Sequence, residues 1–260
     1  MSKSGFEKNK LLFMGKEFET NICGKCVVIN YEGFDKVTVK FYDPEHVKVC
    51  TLSSLEGGWV YNPMKPLVVG KGYLGDGKYV STETKVYHLW KGILTRAYDS
   101  GFHKKYKTYK DVEVCEEWLN FQNFAEWCYG QKFFDAKDDK GRSYHLDKDI
   151  LVKGNRVYSP NTCCFVPAEI NSLVVVNKRR RGDTPIGVYY VKRNRKYTTQ
   201  CCFKGYGLKY LGSYSTPEEA FQVYKEAKKV SIKLVADQWK SKIEDKVYQS
   251  LLNWEITFDD

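Results

Sequence analysis

His145 and Asp147 stand two residues apart in the stretch YHLDKDILVKGNRVYSPNTCCFVPAEIN, residues 144–171. In an extended strand that spacing sends both side chains from one face. An imidazole and a carboxylate so placed can share a divalent cation, or the imidazole can take a proton from water beside it. The plainer alternative is a strand whose His and Asp only hydrogen-bond their own scaffold. A Gly154-Asn155 turn follows, then a second strand, then a Pro167-Ala168-Glu169 helix start. Cys23-Gly24-Lys25-Cys26 has the spacing of half a zinc site, with Cys50 as a distant candidate to join it. No second Cys-x-x-Cys or His pair follows, so a structural zinc site is not expected.

Composition narrows the classes around these residues. Of 260 residues 42% are hydrophobic, enough to bury a core, so this is not a disordered chain. The 42 Lys and Arg against 32 Asp and Glu leave a formal charge of +10, which fits a polyanionic partner or an ordinary basic protein equally well. No apolar run reaches the roughly 18 residues that a membrane span needs, and the start lacks the apolar core of a signal peptide. Nine cysteines, an odd number with two adjacent pairs, make a poor disulfide framework. Free thiols and a cytosolic protein are expected, with no membrane partner.

The elements that must position the candidate site read as a multidomain α+β chain. Residues 1–72 are β-rich: VVINY, VTVKFY and VKVCTL alternate or run apolar between Gly- and Pro-bearing turns and predict a small barrel-like module or a curled sheet. NPMKPLVVGKGYLGDGKY reads as a loop. In the central domain, 73–180, Val86, Leu89, Trp90, Ile93 and Ala97 predict one helix, and Trp118, Phe121, Phe124, Ala125 and Cys128 predict another over 116–128. Between them HKKYKTYK places Lys104, Lys105 and Lys107 among tyrosines, a pattern for phosphate contact with stacking, or a solvated loop. Lys178, Arg179, Arg180 and Arg181 form the densest positive run, placed as a linker that can lie along DNA.

Residues 181–236 predict three strands and a helix. Thr216 is the N-cap, Pro217 the first helical residue and Glu219 the partner in a capping box. Ala220, Tyr224, Ala227, Ser231 and Leu234 line one helical face. Alternation turns Val188, Tyr190, Tyr197, Thr199, Cys201 and Leu211 toward that helix, and Tyr189, Val191, Thr198, Gln200, Cys202 and Tyr210 away from it. The outward face is polar and aromatic, flanked by Lys192, Arg193, Arg195, Lys196, Lys204 and Lys209; such a sheet can enter the major groove. Residues 237–260 form an amphipathic tail in which Val247, Leu251 and Trp254 can dock.

Gly187-Val188, Lys196-Tyr197, Tyr210-Leu211-Gly212 and Ser215-Thr216-Pro217-Glu218-Glu219-Ala220 resemble the AP2/ERF DNA-binding domain over about fifty residues. The resemblance implies a three-stranded sheet reading double-stranded DNA, with Tyr189, Val191, Gln200, Cys202 and Tyr210 toward the groove. Arg193, Arg195 and Lys204 are the expected phosphate contacts. The chain lacks the arginines that plant members carry at several groove positions.

Residues 84–177 resemble the HNH, or ββα-metal, endonucleases that phages carry, often as homing enzymes. The residues are Trp90, Val114-Cys115-Glu116-Glu117-Trp118, Phe121, Phe124, Leu146-Asp147, Gly154-Asn155, Tyr158-Ser159-Pro160, Phe165-Val166 and Asn171. That resemblance implies a Mg²⁺- or Mn²⁺-dependent DNA endonuclease in a phage-infected bacterial cytoplasm. It puts Asp147 and Asn171 on the metal and Lys148 at the place of the general base. A protonated lysine cannot take a proton, so His145 is the substitute base, and Lys148 or Arg142 is left to stabilise phosphate charge. The central Asn that steadies the family's ribbon falls near Thr162. The alternative on the same scaffold is a DNA-binding or regulatory protein without catalysis.

Overall fold

Alternation in the first third of the chain builds an open antiparallel sheet rather than a barrel. The computed structural model describes residues 3–82, 84–174 and 184–260. It divides into two units, Met1–Lys110 with Val114–Glu126, and Asp111–Glu113 with Trp127–Asp260.

In the first unit a helix α1 (Lys3–Phe13) precedes strands β1 (Glu17–Thr20), β2 (Gly24–Tyr31), β3 (Val37–Tyr42) and β4 (Glu45–Cys50), paired in that order. β1 and β4 are the two ends of this sheet, so it does not close. Its inner face carries Cys26, Val28, Tyr31, Val37, Val39 and Phe41, all buried, each side chain contributing about 1.5–3 kcal/mol of burial for the larger apolar ones. α1 was not expected from the sequence; Phe6 and Phe13 hold it by lying 5.9 and 5.7 Å from the Tyr31 ring. A short helix α2 (Leu52–Glu56), capped by the Thr51 side chain, closes the module with Leu52 and Leu55. Cys23 accepts a bond from the Asn62 amide at 3.2 Å. Burial and the neighbouring thiols push Cys26 up to about 11. These cysteines act as small core groups.

The helical part of this unit has α3 (Lys85–Tyr98), α4 (Ser100–Lys105) and a 3₁₀ turn at Lys107–Tyr109; a two-residue strand β5 (Glu113–Val114) and a helix α5 (Phe121–Gly130) follow. The expected apolar stripe of α3 is buried at Val86, Trp90, Ile93 and Ala97, and Leu94 joins it. The helix expected over 116–128 breaks in two at Asn120. That residue is extended, and its side chain accepts from the Gln122 amide at 2.9 Å, while Phe121 N–H donates to Tyr73 O. The glycine-rich loop causes the break. Gly75 has φ +68°, and a Cβ there would lie 2.1 Å from Asn120 Oδ1. The side chain of Gln122 donates to Leu74 O and Tyr79 O.

The second unit holds a ribbon of β6 (His145–Asp147) and β8 (Cys164–Val166), with the short strand β7 (Val157–Tyr158) between them in sequence but outside the ribbon, and α6 (Ala168–Leu173) after it. β6 pairs β8 antiparallel, His145 opposite Val166 and Asp147 opposite Cys164. Phe165 anchors the ribbon against Trp127 and Phe134. Strands β9 (Val188–Val191), β10 (Lys196–Phe203) and β11 (Gly207–Tyr214) form a three-stranded antiparallel sheet with β10 central, and α7 (Pro217–Trp239) packs on it. Thr216 and Glu219 form the expected capping box. A last helix, α8 (Asp245–Leu252), buries Val247 and Leu251 and packs on α7, while Trp254 stays half-buried. Because α7 meets this second partner, its buried stripe shifts after Ser231 to Ile232, Val235, Ala236 and Trp239, and Leu234 points outward. Among the described residues no helix is long and apolar enough to cross a membrane.

Candidate nucleic-acid interface

Two features of the second unit bear on function: the ribbon and the outward face of the three-stranded sheet. In the ribbon, β6 delivers His145 and Asp147 into different environments. His145 is exposed. Asp147 is an Asx-turn acceptor, its Oδ1 taking the Asp149 N–H at 2.7 Å and the Ile150 N–H at 2.8 Å. Burial holds its carboxyl above the usual aspartate range despite those two bonds. Its Oδ1 is thus taken up by two backbone donors of the turn.

Lys148, expected beside the chemistry, is only 7% exposed. Its Nζ donates to both Asp149 carboxylate oxygens, at 2.8 and 2.9 Å, and to Asn155 O at 2.8 Å. All three of its hydrogens are spent, so it is a structural ammonium without a free donor for phosphate. Asn155 returns the favour through Nδ2, which donates to Lys148 O and Val157 O. Thr162, at the place expected of a ribbon-steadying Asn, donates through Oγ1 to Val157 O at 2.7 Å. Arg142 pairs through Nε and Nη2 with the Asp138 carboxylate, while its side chain stays 54% exposed.

Of the expected site, the fold brings together His145 and Asn171: Asn171 Nδ2 lies 3.4 Å from His145 Nδ1. This is a long hydrogen bond. Among the described residues there is no group of three or more His, Cys, Asp or Glu able to hold a metal ion.

The sheet behaves differently. β10 is flanked on both sides, and residues opposite one another share a face: Tyr189 with Thr198 and Ser213, Gln200 with Tyr210, Cys202 with Leu208. Val188, Thr199 and Cys201 turn to α7 and are buried. Tyr190 and Tyr197 share that side, but their rings meet 5.0 Å apart and Tyr190 is exposed rather than covered by the helix. The close approach of α7 is carried by Ser231, whose Oγ donates to Cys202 O at 2.8 Å, and by Gly187, where φ is +74° and a Cβ would fall 2.1 Å from the Tyr224 ring. Lys228 reaches Leu173 O at 2.8 Å, and burial pulls its ammonium below the usual lysine range.

On the outward face Tyr189, Tyr210, Leu208 and Cys202 are exposed, Tyr210 at 66% and Leu208 at 60%. A register shift between Thr199 and Gln200 leaves Leu211 as the extra residue of β11. Tyr210 and Ser213, three apart, thus land on one side, joined by a 3.0 Å bond that continues from Ser213 to Thr198 at 2.8 Å. Sequence alternation finds neither Leu208 nor Ser213. Leu208 was within reach by counting back two from Tyr210; the bulge hid Ser213. Lys192, Arg193 and Arg195 stand exposed in the β9–β10 loop, with Lys196 beginning β10. Arg195 sits at φ +56°, a conformation uncommon for a residue with a Cβ.

The remaining expected contacts are placed less openly. Lys204 Nζ lies 2.7 Å from Glu169 Oε2, an oxygen that also accepts from Trp239 Nε1. In the first unit Lys104, Lys105 and Lys107 are exposed, but Tyr106 and Tyr109 pack on Phe102 at 4.6 and 5.5 Å and so are engaged with their own fold. Lys178, Arg179, Arg180 and Arg181 lie outside the described residues. No protein-family profile, curated protein or solved structure matches the chain.

Proposed function

We propose that the chain is a double-stranded DNA-binding protein whose β9–β11 sheet enters the major groove, on a ribbon kept as a scaffold rather than as a nuclease centre. One observation carries the reading: a sheet face on which Tyr189, Cys202, Leu208 and Tyr210 are exposed around a buried Thr198, rimmed by Lys192, Arg193, Arg195 and Lys196. An AP2-like reader has this layout. The non-catalytic half rests on Lys148, whose donors are all spent, and on Asp147, which is a turn cap. Endonuclease action by His145 with Asp147 and Asn171 is the competing outcome.

Fluorescence anisotropy with a labelled duplex tests the binding. If four rim cations each neutralise one phosphate, raising salt fourfold lowers affinity on the order of a hundredfold. Arg193→Ala with Arg195→Ala should flatten the log–log slope by about 2. Binding that ignores salt, or none in dilute buffer, refutes the proposal. Supercoiled plasmid with Mg²⁺ or Mn²⁺ tests the rest: retarded but intact DNA is expected, and cleavage lost in both His145→Ala and Asp147→Ala would replace the binder with an enzyme.

A further inference from the structure

We infer that this sheet selects A·T pairs, with Gln200 reading adenine and the Cys202–Leu208 pair reading the thymine methyl; the inference rests on the DNA-binding reading above. The major-groove edge of adenine offers one acceptor, N7, and one donor, N6, and a glutamine amide supplies the complementary donor and acceptor. Guanine offers two acceptors, O6 and N7, which call for a side chain with two donors, as arginine and lysine have. Gln200 lies on the outward face opposite Tyr210. Among the described residues its side-chain amide has no hydrogen-bond partner, so it is available to a base.

The same face is poor in the groups that read guanine. Tyr189, Val191, Thr198, Gln200, Cys202, Leu208, Tyr210 and Ser213 include no arginine or lysine. On these strands the cation of that side is Lys196, which pairs with Val191 at the far end. Four residues separate it from Gln200, about 13 Å along a strand. The other rim cations belong to the β9–β10 loop and suit phosphate.

Two residues beyond Gln200, about 7 Å along β10, Cys202 faces Leu208 across the hairpin. Both are exposed, with nothing polar between them to be left dry. A recess of about 360 Å³ at the open edge of β10 is bordered by Tyr189, Gln200, Cys202 and Leu208 on this side and by Cys201, Tyr224 and Lys228 on the side of α7. An apolar pair beside a recess welcomes a methyl group, and thymine projects its C5 methyl into the major groove.

The test compares duplexes of equal length at one salt concentration by competition anisotropy: mixed A·T, mixed G·C, and the A·T duplex with deoxyuridine in place of thymidine. The A·T duplex should bind about tenfold or more tightly than G·C, and loss of the methyls should cost several-fold. Leu208→Ala should become indifferent to the uracil exchange, and Gln200→Ala should narrow the A·T advantage; both residues are surface positions, and circular dichroism checks that each variant folds. Equal affinity for A·T and G·C with a steep salt slope overturns the inference and leaves DNA binding standing. An A·T advantage that survives both the uracil exchange and Gln200→Ala undiminished assigns it to duplex shape and also overturns the inference. No binding to any duplex in dilute buffer removes both together.

Discussion

Replacing Lys148 with Met separates a structural lysine from a catalytic one. Met keeps most of the aliphatic stem and its place near Tyr158, whose ring centre lies 5.8 Å from Nζ, and removes the ammonium alone. Two partners lose a donor. The side chain of Asp149 is 47% exposed, so water replaces part of its loss, and the pair with it contributes about 1 kcal/mol. Asn155 O is tied into the ribbon, and an acceptor left without its donor there costs about 1–3 kcal/mol. The sum is about 3 kcal/mol, which lowers Tm by roughly 6–12 °C for a unit of this size. Thermal melts followed by near-ultraviolet circular dichroism read the shift. Asp149→Asn should cost less, and the double variant should cost at least about 1 kcal/mol less than the two singles added, since both act through one contact. A Lys148→Met protein within about 0.5 kcal/mol of the parent would refute this account. So would one of unchanged stability that had lost a cleavage activity.

Three further outcomes follow from the same geometry. Since burial raises the Asp147 carboxyl in the folded state, its favourable contribution is fully present below the unfolded value, near 3.9, and is lost as pH rises through the folded one. Asp147→Asn keeps the Oδ1 acceptor and should raise Tm at pH 7, with the gain vanishing near pH 4; a gain independent of pH contradicts this. Gly187→Ala, with φ +74° and the Tyr224 ring 2.1 Å from the new Cβ, should cost about 2–4 kcal/mol. Denaturant melts should show Tyr224→Ala relieving only the clash. Lys204→Ala should weaken duplex binding less than Arg193→Ala, because its Nζ is already held by Glu169; anisotropy titrations rank the two.

What the sequence disclosed was what neighbours in the chain decide. The Thr216–Glu219 capping box, Pro217 at its start and the three strands before it depend on contacts a few residues long, and they stand where the pattern put them. The buried stripe Trp118, Phe121, Phe124, Ala125 and Cys128 was also legible, but not the break at Asn120, which a loop some forty-five residues earlier imposes. α1 carries too few apolar residues to announce itself, and Phe6 and Phe13 make it a helix by docking on Tyr31. The ribbon was legible only in part. An Asp followed two and three residues later by free amides is a local turn signal, and the same Asp was expected on a metal. Lys148 was unreadable because Asn155 O, seven residues away, completes its shell.

The distribution of the nine cysteines has a practical consequence. Cys202 is exposed on the sheet's outward side, whereas burial keeps Cys26, Cys50, Cys115, Cys163, Cys164 and Cys201 as raised, protonated thiols. Alkylating reagents consume thiolates that they can reach. A brief treatment of the native chain with a fluorophore-bearing iodoacetamide, which loses iodide as the thiolate attacks, therefore installs a dye at Cys202 without any engineered position. That fluorophore stands two residues from Gln200, where its emission reports whatever molecule comes to lie against the sheet.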